Sequence, residues 1–183
     1  IEDLLFTEHL RRVLDRLEAL PMPVVAGIDG SCMGLGVQLA FTADLRIATP
    51  GAKFAIPVAK LGLMVDQWTV RRATALLGAS TARYMMLSAA VIGADDAHRV
   101  GFVNELGTAR RVDELAASIC SLAPLSLSGS KYGLVNADRG DRLDADGWDP
   151  TYRAAFEAAW ASDDLVEGRT AFSQRRSPTF RGR

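Results

Sequence analysis

Side chains able to do chemistry are thinly spread in this sequence. His9 and His98, the two histidines, and Cys32 and Cys120, the two cysteines, share no metal-ligand spacing, so no metal site is expected. Cys32 sits in a glycine-rich stretch, and a reactive thiol would need an electropositive setting that its neighbours do not supply. His9 beside Glu8, and His98 close to Asp96 and Arg99, read as surface residues of helices. More informative are Gly30, Gly34 and Gly36, three backbone-permissive positions directly after an apolar run. Further on, Asp66 precedes the helical run that begins at Trp68, where an aspartate can accept the free N–H groups of a helix start.

The elements that must hold these residues follow from periodicity. Leu4, Leu10, Val13, Leu14, Leu17 and Leu20 recur at helical spacing, with Arg11, Arg12, Asp15, Arg16 and Glu18 between them, which predicts an amphipathic helix ending at Pro21-Met22-Pro23. The apolar run Val24–Asp29 predicts a buried strand, Val37–Thr42 a short buried helix, and Asp44–Ala48, Lys53–Ile56 and Val103–Leu106 further strands. Arg46 within the second strand reads as covering a sheet edge. Helices are predicted over Trp68–Leu77, Ser80–Leu87, Asp95–Val100, Val112–Leu122, Leu127–Asn136, Trp148–Ala161 and Asp164–Arg175. The arginine-rich residues Arg175–Arg183 read as an exposed extension. Strands interleaved with short helices and followed by a helical part define an α/β class.

Length and charge narrow the possibilities. A chain of 183 residues with 49% hydrophobic content can bury one sizeable core. Its 21 basic and 22 acidic residues nearly cancel, and no basic block precedes the last few residues, so a nucleic-acid partner is not expected. No signal peptide and no membrane span are read, and two isolated cysteines fit a reducing cytoplasm. The chain opens directly into a helical pattern without an initiator methionine, which reads as a truncated start.

Several separated phrases carry a resemblance. They are Pro23–Gly30 (Pro-Val-Val-Ala-Gly-Ile-Asp-Gly), Gly34–Ala40, Asp44–Ala48, Phe54–Pro57, Lys60–Gly62, Ala94–Val103 and the run from Trp160 to Phe180. In order and spacing they resemble the enoyl-CoA hydratase/isomerase (crotonase) family over nearly the whole chain. The resemblance implies a crotonase-type ββα spiral. Its core would occupy residues 1–106, without the N-terminal strands, and a helical trimerisation region residues 107–183 of the same structural unit. It also implies a coenzyme A thioester as ligand, with no other cofactor, and a homotrimer or hexamer. In that family two backbone N–H groups hold the thioester oxygen. One falls at Leu35, after Gly34, and the other would come from a loop before Ile1.

The same comparison removes the expected catalysts. The family's two glutamates fall on Gln38 and Val58. An amide orients water but does not exchange a proton near neutral pH, and valine does neither. Asp66 remains, either as a lone proton shuttle, as in the dienoyl-CoA isomerase branch, or as a helix cap. Ile56, Val58 and Trp68 would line the acyl pocket, Trp68 being equally a packing residue. Phe156 and Arg175 fall where C-terminal helices reach the CoA nucleotide, with a plain surface arginine as the alternative for Arg175. The pair Gln38/Val58 resembles mycobacterial members that lack both glutamates and carry acyl-CoA. The function implied is a non-hydrating acyl-CoA-binding protein of fatty-acid or lipid metabolism, partnered with fatty-acid synthesis enzymes. The alternative is an enoyl-CoA isomerase with Asp66 as its sole acid/base.

Overall fold

The computed structural model describes residues 2–137 and 143–183. The Ile1 start and the side chain of Leu4 lie outside the described residues. The chain forms two compact units, Ile1–Glu18 with Val24–Leu115, and Ala19–Pro23 with Ala116–Arg183.

The first unit begins with α1 (Glu2–Glu18), then runs through β1 (Val25–Ile28), β2 (Ser31–Met33), α2 (Leu35–Thr42), β3 (Leu45–Ala48) and β4 (Lys53–Ala55). A single 3-10 turn, Val58–Leu61, leads to α3 (Gln67–Ser88), β5 (Ile92–Gly93), α4 (Ala94–Arg99) and β6 (Glu105–Leu106). The strands form two small sheets ordered β1-β3-β6 and β2-β4-β5. Pairing is parallel between β1 and β3, with Val25 opposite Leu45, and between β2 and β4, with Ser31 opposite Lys53. β5 joins β4 antiparallel. The two predicted helices over 68–87 are present within the span Gln67–Ser88 and meet at Gly78, whose φ of 76° and ψ of 153° leave the helical region. Beyond the predicted strands, β2 and β5 are new: with three and two residues, they are too short for a period to register.

Phe41, Phe54, Ile56, Leu77, Met85 and Phe102 are fully buried and form the centre of the core. The Phe102 ring meets Phe41 and Phe54 edge-on at 5.5 and 5.4 Å, the geometry that the ring quadrupoles favour. Arg46 corrects a sequence expectation. It does not cover a sheet edge: it is 3% exposed on β3, the central strand of its sheet. Its guanidinium donates to the carbonyls of Phe102, Ala43 (2.7 Å), Ala40 (3.2 Å) and Asp44 (3.4 Å). The carbonyls at the end of α2 lack helical partners, and a five-donor planar cation can serve several of them at once. Aliphatic replacement should therefore strand these acceptors. Arg46→Met is expected to cost about 3–5 kcal/mol in urea denaturation, in the range for unpairing a buried charged network.

Helix α5 (Ala109–Cys120) spans the boundary between the units. The second unit contains α6 (Pro124–Val135), α7 (Pro150–Trp160) and α8 (Asp163–Gln174). α6 and α7 approach closely at Gly133, where a β-carbon would come within 2.6 Å of the Tyr152 ring. Asp149 caps α7 by accepting from Thr151 and Tyr152 N–H, and Ser162 caps α8 by accepting from Leu165 N–H.

The C-terminal residues are largely exposed, as expected, but they are bonded back onto α8. The buried Asp164 carboxylate accepts from the backbone N–H groups of Arg181 (2.7 Å) and Gly182 (2.8 Å), and Arg183 O accepts from Asp163 N–H. Glu167 pairs bidentately with Arg176 at 2.6 and 2.8 Å and also accepts from Thr179 N–H. These bonds, led by the Arg176 side chain, pull the Glu167 carboxyl down from 4.5 to about 2. A depressed carboxyl stabilises the folded tail above its unfolded value and loses that contribution as pH falls towards its folded value. The tail's stability should therefore fall between about pH 4.5 and 2, the Thr179 amide resonance should move near the lower of these values, and Glu167→Gln should abolish the transition.

Candidate functional site

The residues of interest in the first unit converge on the start of α2. Gly34, at φ 50° and ψ −108°, turns the chain sharply from β2 into that helix, a conformation that side chains disfavour. Its N–H is bonded to Ala55 O at 2.8 Å, which fixes the turn against the end of β4 next to Ile56. Leu35 then occupies the first helical position, where the N–H has no partner within the helix. Val37, Ala40 and Phe41 anchor α2 in the core and leave Gln38 half-buried on its other side.

Gln38 is not free to turn. Its Nε2 donates to Thr69 Oγ1 at 2.7 Å, while Thr69 Oγ1 donates to Asp66 Oδ1. A hydroxyl owns one hydrogen. With that hydrogen committed to the carboxylate, Thr69 can only accept from Gln38, so the amide must present its NH2 group. Asp66 Oδ1 also accepts from Thr69 N–H at 2.9 Å, making Asp66 the N-cap of α3. Asp66 Oδ2 lies 3.9 Å from Arg11 Nη1 on α1.

A second polar group adjoins this chain. The Arg11 guanidinium lies over the Trp68 ring, 3.7 Å from its centroid, with Nη2 2.7 Å from Asp15 Oδ1. The buried guanidinium nitrogens make no well-aligned hydrogen bond, so stacking and charge hold Arg11 in place. Trp68 packs on the core and turns Nε1 towards Glu18 Oε2 at 3.4 Å. Glu18 in turn faces Arg72, whose Nη2 donates to Phe41 O at 2.7 Å.

Of the other sequence-identified residues, Ile56 is wholly buried after β4 and Val58 opens the 3-10 turn, half-buried against the core. Cys32 is buried, 3.5 Å from where a β-carbon on Gly36 would lie, and burial pushes its thiol up to about 11. At neutral pH roughly one molecule in ten thousand would carry the thiolate, which makes it inert. His98 is exposed, as expected, but its Nδ1 is 2.9 Å from Val103 O. Phe156 and Arg175 belong to the second unit. Phe156 is exposed on α7, with its ring 5.4 Å from Trp148 and 5.7 Å from Trp160. Arg175 ends α8 in the left-handed conformation at φ 53°.

Thr69, Arg11 and Glu18 were not singled out in the sequence. Arg11, Asp15 and Glu18 stand at i, i+4 and i+7, so they form a polar stripe on α1 that could have been read beside the apolar one. Thr69, three residues after Asp66, holds the usual place of a residue facing its N-cap.

The enoyl-CoA hydratase/isomerase profile matches residues 1–183, and the chain belongs to that family. It is 37% identical over 177 residues to a probable enoyl-CoA hydratase of Mycobacterium bovis, covering 97% of this chain and 71% of that one. A crotonyl-CoA hydratase of Syntrophomonas wolfei is 33% identical, with 93% and 66% covered. Among solved structures, an enoyl-CoA hydratase/isomerase family protein from Hyphomonas neptunium superposes with a TM-score of 0.83 at 29% identity, covering 93% of this chain and 65% of that one. The chain thus spans about two thirds of the length of the relatives it matches. Its fold is the crotonase fold of those neighbours, mixed α/β with C-terminal helices. Among the described residues, no helix is long and apolar enough to cross a membrane.

The capping role of Asp66 has a measurable consequence. Asp66→Ala removes the acceptor for both Thr69 N–H and Thr69 Oγ1 and should cost about 1–2 kcal/mol in denaturant unfolding. Asp66→Asn retains a side-chain oxygen and should cost less than half of that.

Proposed function

We propose that this chain binds an acyl-CoA thioester without hydrating it. The observation that carries this reading is the state of the two positions where the family's hydratases carry glutamate. At one, Gln38 has its NH2 group committed to Thr69. At the other, Val58 contributes only hydrocarbon, packed on the core. Positioned acid–base groups contribute about 10²–10⁴-fold each, so losing both removes most of a hydratase's advantage. The Gly34 turn and the Leu35 N–H, by contrast, retain the form of a donor to a thioester oxygen. An apolar residue at 58 suits a saturated or otherwise unreactive chain.

The rival reading makes Asp66 the sole acid/base of an isomerase. It asks the carboxylate to exchange a proton through Oδ2, 3.9 Å from Arg11 Nη1, while Oδ1 accepts from Thr69 N–H and Oγ1. Loss of exchange of acyl-chain hydrogens with solvent deuterium on Asp66→Asn substitution would support it.

A homotrimer or a pair of trimers accompanies the acyl-CoA reading. It is supported by exposed Leu61, Leu63 and Met64 in the first unit and by exposed Phe156, Trp160 and Phe172 in the second. Delivery of the bound thioester to fatty-acid synthesis enzymes would be its use.

The decisive experiment titrates the full-length protein with butyryl-CoA and palmitoyl-CoA by calorimetry and assays crotonyl-CoA hydration alongside. Saturable binding of at least one thioester, with hydration no faster than buffer, is the expected result. Turnover well above background would overturn the non-hydrating reading, and absence of binding would overturn the acyl-CoA reading.

A further inference from the structure

The Trp68 indole is held from α1 at two places. The Arg11 guanidinium covers one face, 3.7 Å from the ring centroid, within the range where a cation and a ring quadrupole attract. At the indole edge, Nε1 points to Glu18 Oε2 at 3.4 Å. Neither partner is itself loose. Arg11 is flanked by Asp15 at 2.7 Å and Asp66 at 3.9 Å, and Glu18 by Arg72 at 3.4 Å. The Arg11 guanidinium nitrogens are buried without a well-aligned hydrogen bond, so the residue forgoes donors in order to lie against the ring. Trp68 and Val58 both pack on the core cluster of the first unit, and the residue after Trp68, Thr69, holds Gln38.

We propose that Arg11 and Glu18 are positioning residues that fix the Trp68 indole as the end wall of the acyl site, so that chains up to a set length are taken and longer ones are not. This rests on the acyl-CoA reading above. A chain that starts at the Leu35 N–H and passes between Gln38 and Val58 heads for the indole. An unbacked tryptophan would yield to a longer chain by changing rotamer. Here the guanidinium fills the space behind the ring, and turning would also break the contact of Nε1 with Glu18. The ligand class that follows is the acyl thioester of short to medium length. Arg11 acts through Trp68 and touches no ligand atom itself.

The test is a chain-length series on the full-length protein by calorimetry, using butyryl-, octanoyl-, dodecanoyl- and palmitoyl-CoA. Each added methylene that enters the site should strengthen binding roughly fourfold. Affinity should therefore climb with length and then stop or fall once the chain meets the indole. In Arg11→Ala the ring can turn aside, and the climb should continue to longer chains while butyryl-CoA binds as before. Arg11→Lys keeps a cation on the ring and should keep the limit, whereas Trp68→Ala should remove it. A general loss of packing at position 11 would weaken all chain lengths by one factor and leave the limit in place, and that outcome overturns the proposal. A limit that survives Trp68→Ala overturns it too. Affinity that climbs through palmitoyl-CoA in the unmodified protein also overturns it, while leaving the acyl-CoA reading intact. Binding of none of the four thioesters overturns that reading, and this inference with it.

Discussion

The guanidinium of Arg46 is the point on which the arrangement of the first unit depends. One buried cation ties the last carbonyls of α2 and the start of β3 to the chain at Phe102, which follows α4. Each of those oxygens would otherwise be a polar atom facing a core of aromatic rings, at a desolvation cost of about 1–3 kcal/mol apiece. Fixing the C-terminal end of an eight-residue helix also fixes its other end, since so short an element has little room to bend. The Gly34 turn and Gln38 are therefore placed by a residue at the far end of the helix. The edge-to-face contacts of Phe102 with Phe41 and Phe54 add packing to the same junction.

Much of this architecture could be read in the sequence, for physical reasons that also mark where the reading stopped. The apolar stripe of α1 and the β-branched run of β1 reflect burial of one face, and burial is what periodicity records. The division of α3 at Gly78 was legible as two helical runs, because a glycine between such runs signals a break. β2 and β5 escaped because two or three residues cannot display a period. Arg46 was misjudged because a charged residue alternating with apolar ones implies solvent, and a partner 56 positions away is invisible locally. The exposure of the tail was legible but its pinning was not: Asp164 and Glu167 meet their partners after a turn of the chain that composition cannot reveal.

At the candidate site, the residue types were legible and their couplings were not. Family resemblance located Gln38, Val58 and Asp66, and the sequence left Asp66 open between a cap and a shuttle. What joins Asp66 to Gln38 is Thr69, an unremarkable residue by type, whose importance lies in having only one hydrogen to give. Nor does the sequence place the Arg11 guanidinium against the Trp68 ring, 57 positions on, since that contact depends on how α1 lies across α3. Long-range pairs of this kind are where three-dimensional information adds most to a function argument.

Gly78 carries a further implication, for tolerance to substitution. The position is exposed, and a β-carbon placed there would meet no atom within 4 Å, so by packing alone any residue should be accepted. Its φ of 76° with an extended ψ lies where L-residues with side chains seldom go. A survey of all substitutions across α3 would thus find a solvent-facing site behaving as restrictively as the buried Leu77 beside it. Depletion of variants at a surface position is usually taken to mark a binding contact. At Gly78 it would instead record the backbone angle by which the chain passes from one helical run to the next.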